Sequence, residues 1–130
     1  MIRTPLIALT LGAACGAGGC ASTGSPARPA VINHPVFITL NDPAQADELI
    51  ADCDNRLSRI PGIVSYYCGR PFDSGRTTVN GDYTVGLYVG FASAEDYAAY
   101  VTHPDHLWLL EKWGPRTAEL RVHDIIDETP

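Results

Sequence analysis

The stretch Asp82-Tyr83-Thr84-Val85-Gly86-Leu87-Tyr88-Val89-Gly90-Phe91 decides the fold. Tyr83, Val85, Leu87, Val89 and Phe91 fall on one side of an extended chain, and Thr84, Gly86, Tyr88 and Gly90 on the other. A strict period of two over this length is the signature of a strand, here 82–91. Immediately after it, Ser93 is placed to cap a helix that carries Glu95 and Asp96 in its first turn, where the helix dipole favours acidic groups. That helix should run to about Thr102, because His103-Pro104 breaks it; Pro104 suits the first turn of a fresh helix reaching Trp113.

Working outward, Val36, Phe37, Ile38 and Leu40 mark a first strand over 34–40. Asn41-Asp42-Pro43 stops it and starts a helix, with Asp42 as cap. Ala46, Leu49, Ile50, Cys53, Leu57 and Ile60 recur at three and four, which predicts an amphipathic helix over about 43–59 ended by Pro61-Gly62. A second strand follows over 63–69, then a polar loop over 70–81, and a last strand over 119–126. The order β-α-β-β-α-β implies an α+β, ferredoxin-like domain: a four-stranded antiparallel sheet with its helices on one face. The bare face is expected to carry apolar residues from all four strands. Such a patch exceeds what monomers expose, so a second copy of the chain is the expected cover, in a two-fold dimer.

The chain has 130 residues and a formal net charge of −6, with 45% hydrophobic and 18% charged residues. This bounds it to one domain and, without a Lys/Arg cluster, argues against nucleic acid as a partner. The beginning reads as an export signal: Arg3, then an apolar stretch from Pro5 to Ala14, then Ala17-Gly18-Gly19-Cys20. An apolar run of about 7–15 residues marks a cleaved signal, whereas a spanning helix needs about 20. Small residues before a cysteine resemble a bacterial lipoprotein signal, removed as residues 1–19 with lipid placed on Cys20. Cys15 is the rival cleavage site, and an ordinary secretory signal the alternative. Ala21 is not the Asp that resembles an inner-membrane retention cue, so the outer membrane, on its periplasmic side, is the expected address. Residues 20–33, small and Pro-bearing, read as a tether, and 127–130 as a tail. Beyond the signal, Cys53 and Cys68 remain. An exported chain permits them a disulfide, and both also fit as small buried hydrophobes; whether they are joined is open at this level.

Groups able to move protons near neutrality concentrate in Tyr100-Val101-Thr102-His103-Pro104-Asp105-His106. An imidazole titrating near pH ~6.5 suits a general base, which singles out His106, and a phenol can donate to an oxygen gaining charge, which singles out Tyr100. His34, at the start of strand one, and His103, beside the helix break, are candidate ligand contacts. So are Tyr88 and Trp108, with Trp113, as the walls of a pocket between helices and sheet. For each the bland alternative is packing or capping, and for His103 capping the new helix is the stronger one. Gly86 and Gly90 beside Tyr88 would leave room for a ligand or a close helix. His123 reads as an ordinary edge histidine. Three imidazoles could bind zinc, but Pro104 lies between His103 and His106 and no carboxylate has the usual spacing, so no metal is assigned.

With these residues in hand, the chain resembles the stress-responsive dimeric α/β barrel family, Dabb. The resemblance covers about 34–126. It rests on His34, on Ile60-Pro61-Gly62-Ile63, on Phe91-Ala92-Ser93-Ala94-Glu95-Asp96 and, most specifically, on the Tyr-x-x-His-Pro-x-His run at 100–106. It implies two ferredoxin-like protomers whose sheets close into a barrel. The plant polyketide cyclases of the family are similar at 100–106; carried over by position, His106 would be their general base, Tyr100 the group assisting the carbonyl, and His34 a cavity residue. The expectation is therefore a homodimeric, cofactor-free lipoprotein that binds a small carbonyl-bearing or aromatic molecule. The alternatives are a cyclase, isomerase or lyase using the same pair, and an interaction module with a filled interior. Replacing Cys20 by Ala should move the protein from the membrane to the soluble fraction of cells; an unchanged distribution would refute the anchor.

Overall fold

A computed structural model of the chain describes residues 26–130; the signal, Cys15, Cys20 and the first part of the tether lie outside the described residues. Five strands and three helices follow in the order β1 (Ile32–Leu40), α1 (Ala46–Leu57), β2 (Ile63–Gly69), β3 (Val85–Phe91), α2 (Ala94–Val101), α3 (Pro104–Trp113), β4 (Thr117–Val122) and β5 (Ile125–Ile126). The sheet is antiparallel, in the order β2-β3-β1-β4, with β5 continuing along the free edge of β1. This is the ferredoxin-like arrangement expected from the pattern.

The caps form as their residues dictate. Asp42 accepts from the Ala44 N–H at 3.0 Å, and Pro43 opens a short 3-10 turn that leads into α1. Ser93 accepts from the Asp96 N–H at 3.1 Å and starts α2. His103 Nδ1 accepts from the Asp105 N–H at 3.2 Å, and Pro104 sits in the first turn of α3. Each cap satisfies a backbone donor that the first helical turn leaves free.

The core lies between helices and sheet. Leu49, Cys53 and Leu57 of α1 meet Val36, Ile38 and Leu40 of β1, and Val85, Val89 and Phe91 of β3. Fully burying each large apolar side chain contributes roughly 1.5–3 kcal/mol, which makes this layer the main source of stability. α1 packs against α3, and polar contacts fix the pair. Lys112 Nζ reaches Asp52 at 2.5 Å and Glu48 at 2.8 Å, the Trp113 indole donates to Asp52 at 2.9 Å, and Arg56 lies 3.7 Å over the Trp108 ring while bonding to Asp105.

Several boundaries differ from the sequence pattern, each for a physical reason. β1 starts at Ile32 rather than His34, because Ile32 and Asn33 pair with Phe91 and Gly90 on one side and with β5 on the other. Ala30, assigned to the tether, is buried. β3 starts at Val85 rather than Asp82. Tyr83 leaves the face of Val85, and its ring packs on Phe37 at 4.9 Å, on the side of the sheet without helices. It can do so because Gly86 offers no side chain there: a Cβ on Gly86 would stand 3.2 Å from the Tyr83 ring. At Gly90 a Cβ would stand 2.6 Å from that of Ala30 and 2.9 Å from the Tyr88 hydroxyl. The room left by these two glycines is thus taken by the chain itself.

The expected last strand is interrupted at His123-Asp124. The cause is Pro35: the His123 N–H donates to the Pro35 carbonyl at 3.0 Å, but proline has no N–H to return, so the ladder loses a bond there. The register nevertheless stays in step. Val36 faces Val122 and Asn33 faces Ile125, which sets His34 opposite Asp124. The bare face is less aliphatic than expected. It carries Tyr67 stacked on Tyr88 at 4.9 Å, Phe37 beside Tyr83 and His123, and polar residues between them.

Candidate functional site

A cavity of about 470 Å³ lies between the helices and the β1–β4 side of the sheet. Its size falls within the roughly 300–1,000 Å³ of small-molecule sites. It exists because α1 and α3 pack on each other and α2 sits over β3, so that no helix lies squarely over β4. Leu110, Leu120 and Val122 therefore line the cavity while remaining about half exposed, and they form its mouth. Leu49, Leu57 and Leu109 make the deep apolar wall.

The polar groups gather at one end. Tyr100, on α2, is 1% exposed and lines the cavity between two imidazoles: its ring centroid is 4.3 Å from that of His106 and 5.8 Å from that of His34. Burial pushes the phenol pKa up, with Cys53 and Tyr97 adding to it, so Tyr100 remains a donor at any physiological pH. His106, in the first turn of α3, holds its Nδ1 3.0 Å from the Val101 carbonyl. A carbonyl only accepts, so Nδ1 carries the proton and Nε2 keeps a lone pair. Burial pulls the His106 pKa below the ordinary imidazole value; the Val101 bond opposes this, and the nearby His34 and His103 reinforce it. His106 is thus neutral at pH 7, a state suited to accepting a proton.

His34 is the buried polar residue of the core layer, 7% exposed. Its Nδ1 lies 2.6 Å from Asp124 Oδ1, and the second oxygen of that carboxylate accepts from the Tyr97 hydroxyl at 2.9 Å. Burial works to raise the Asp124 pKa, but the hydrogen bonds from His34 and Tyr97 outweigh it and hold the carboxyl below its usual range. The carboxylate fixes the ring orientation and places the His34 proton on Nδ1, leaving Nε2 for the cavity. What results is a phenol donor flanked by two oriented imidazoles, over an apolar hollow. That arrangement can hydrogen-bond a carbonyl oxygen and exchange a proton beside it.

Of the residues expected at the site, His34, Tyr100 and His106 line the cavity together, and Trp113 joins its wall. Three expected ligand contacts lie elsewhere and are corrected. Tyr88 is on the opposite face of the sheet, its hydroxyl donating to Asn33 Oδ1 at 2.5 Å, because the strand alternation that buries Leu87 and Val89 turns Tyr88 away. Trp108 points to α1 and stacks under Arg56. His103 is committed to capping α3. Among the described residues no group of three or more His, Cys, Asp or Glu is arranged to hold a metal ion. Tyr97 and Asp124 were not expected. Tyr97 stands three residues before Tyr100 on the same helix face, a signal the sequence offered. Asp124 had none, since its role comes from cross-strand register.

Residues 32–127 match the Stress responsive A/B Barrel Domain, Dabb. The chain belongs to this family. Several solved structures share the fold. A Dabb family protein with a ferredoxin-like fold from Mesorhizobium loti is 24% identical at a TM-score of 0.64, over 75% of this chain and 97% of its own. The hydroxynitrile lyase from Passiflora edulis is 22% identical at 0.64, over 79% and 99%. A dimeric ferredoxin-like protein of unknown function from Thermobifida fusca is 22% identical at 0.63, over 74% and 90%. No curated protein matches the chain.

The depressed His106 pKa has a consequence for this Dabb domain. The unfolded chain binds the proton near pH 6.5 and the folded one only below that, so His106 lends stability that is complete above this range and declines as pH falls through it. Thermal melts from pH 7 to pH 5 should therefore show a steeper fall for the wild type than for His106→Gln; parallel curves would contradict the assignment.

Proposed function

We propose that this Dabb protein is a homodimeric lipoprotein, anchored through Cys20 in the bacterial outer membrane, that binds a small carbonyl-bearing or aromatic molecule in the cavity under its helices. The observation carrying the ligand reading is Tyr100: an almost fully buried phenol that lines an apolar hollow between two imidazoles. A phenol donor on the wall of an otherwise apolar cavity suits a bound oxygen. A ligand with one polar end and an apolar body fits the polarity of the cavity, its oxygen meeting Tyr100 and its body lying along Leu49, Leu57 and Leu109.

A second reading, proton transfer, is favoured by the tautomers. His106 Nε2 accepts a proton from a carbon beside the carbonyl and returns it, Tyr100 donates a hydrogen bond to the oxygen as it gains charge, and His34, held by Asp124, offers a second Nε2 acceptor beside them. A general base contributes typically 10²–10⁴-fold, and one donor to an oxyanion about 10²–10³. No cofactor is needed for this class of reaction. The Passiflora hydroxynitrile lyase, which shares the fold, is in keeping with it.

The dimer is supported by the bare sheet face. Tyr67 is 63% exposed although stacked on Tyr88, and aromatic side chains of this size favour burial at an interface. Similar structures from Thermobifida fusca and Jannaschia are described as dimeric.

Small aryl ketones should raise the melting temperature of the wild type, and Tyr100→Phe should bind them roughly tenfold more weakly, the equivalent of one lost hydrogen bond. In D2O the wild type should speed exchange of their α-protons and His106→Ala should lose that while still binding. Absence of any ketone-dependent stabilisation overturns the binding reading; binding without exchange overturns only the catalytic one. Sedimentation should give a dimer for the wild type and a monomer for Tyr67→Glu, and a monomeric wild type would refute the barrel.

A further inference from the structure

Outside the phenol–imidazole end, one cluster of reactive groups is unused by the proposed function. Cys53, 2% exposed on α1, and Cys68, half-buried on β2, belong to the same packed layer. Alternation along β2 turns Tyr66 and Cys68 toward the helices and Tyr67 toward the bare face, so a partner sheet covering Tyr67 would leave Cys68 on the helix side. Cys68 packs against the buried cluster that holds Cys53, and the two thiols shift each other's pKa, Cys53 upward and Cys68 downward. The buried Tyr66 hydroxyl lies beside Cys68.

We propose that Cys53 and Cys68 are a disulfide site that staples α1 to the edge strand β2 once the chain is exported. α1 and β2 are in direct contact, and two thiols that face each other across such a layer close to the ~2.05 Å of a bond when their Cα atoms lie within about 7 Å. Cys68, the more accessible, reacts first. Its thiolate attacks the disulfide of an oxidant, a dithiol protein or a small-molecule disulfide, and releases one oxidant thiol. Cys53 then gives up its proton and attacks Cys68 sulfur in the mixed disulfide, expelling the second thiol. Two S–H bonds are replaced by one S–S bond, and two electrons and two protons end on the oxidant sulfurs. The bridge would fix the wall to which Cys53 contributes, since Cys53 also lines the cavity. It encloses the Pro61-Gly62 turn, and closing a loop of this length constrains the unfolded chain far more than the folded one.

The full-length protein, isolated with reductant, should be treated with oxidised glutathione, then blocked with N-ethylmaleimide and digested without reduction. A cross-linked peptide holding Cys53 and Cys68 is expected, together with a rise in melting temperature of roughly 10 °C that reductant abolishes. Cys68→Ser, on the edge strand, should melt at the same temperature with and without oxidant, while matching the reduced wild type. Two outcomes would overturn the site: Cys53 and Cys68 both blocked by maleimide after oxidation, or Cys68 found only as a mixed disulfide with glutathione while Cys53 stays free. Because neither measurement involves a ketone, the result is independent of the ligand reading.

Discussion

The antiparallel pairing of β1 with β4 and β5 is the interaction on which the rest depends. β1 is one of the two inner strands, and that register places the side chains on its helix face against those of β4 and β5. It brings Asp124 opposite His34, and Pro35 decides how tightly the pair is bound into the ladder, because its missing N–H opens the edge at His123-Asp124. The carboxylate can then turn to bond both His34 and Tyr97. Without that register the imidazole of His34 would be a buried polar group with nothing to orient it.

The cavity has an equally simple origin. Helix α2 ends where His103-Pro104 ends it, and α3 leaves in a new direction to lie against α1, tied by the contacts of Asp52, Lys112 and Trp113. The helical layer thereby covers β1, β2 and β3 and leaves β4 lined but open. Stability and function draw on opposite sides of one sheet edge: dense packing around Phe91 and Leu57, and a hollow along Leu120 and Val122. The same proline break sets Tyr100 at the end of one helix and His106 at the start of the next. A continuous helix would keep their spacing fixed by its pitch; here the two rings face each other across the break instead.

Cys53, Cys68 and Tyr66 form a second chemistry-bearing group, in the layer between α1 and β2. Its two thiols offer redox chemistry rather than proton exchange with a carbonyl. The two clusters meet only through Cys53, which contributes to both the thiol pair and the cavity wall.

The chain order of strands and helices, the caps at Asp42, Ser93 and His103, and the break at Pro104 are local properties, set by side chains within a few residues of one another, and the sequence alone determined them. The motif from Tyr100 to His106 and the leading His34 were legible for the same reason, and with them the family. Which face of β3 carries Tyr88, whether Trp108 sees a pocket or an arginine, and that Asp124 meets His34 were settled only by tertiary structure. These depend on residues 30 to 90 positions away, through strand register and helix packing. Tyr83 shows the limit most clearly: its alternation with Val85 is perfect in the sequence, yet the space above Gly86 draws it to the other side of the sheet.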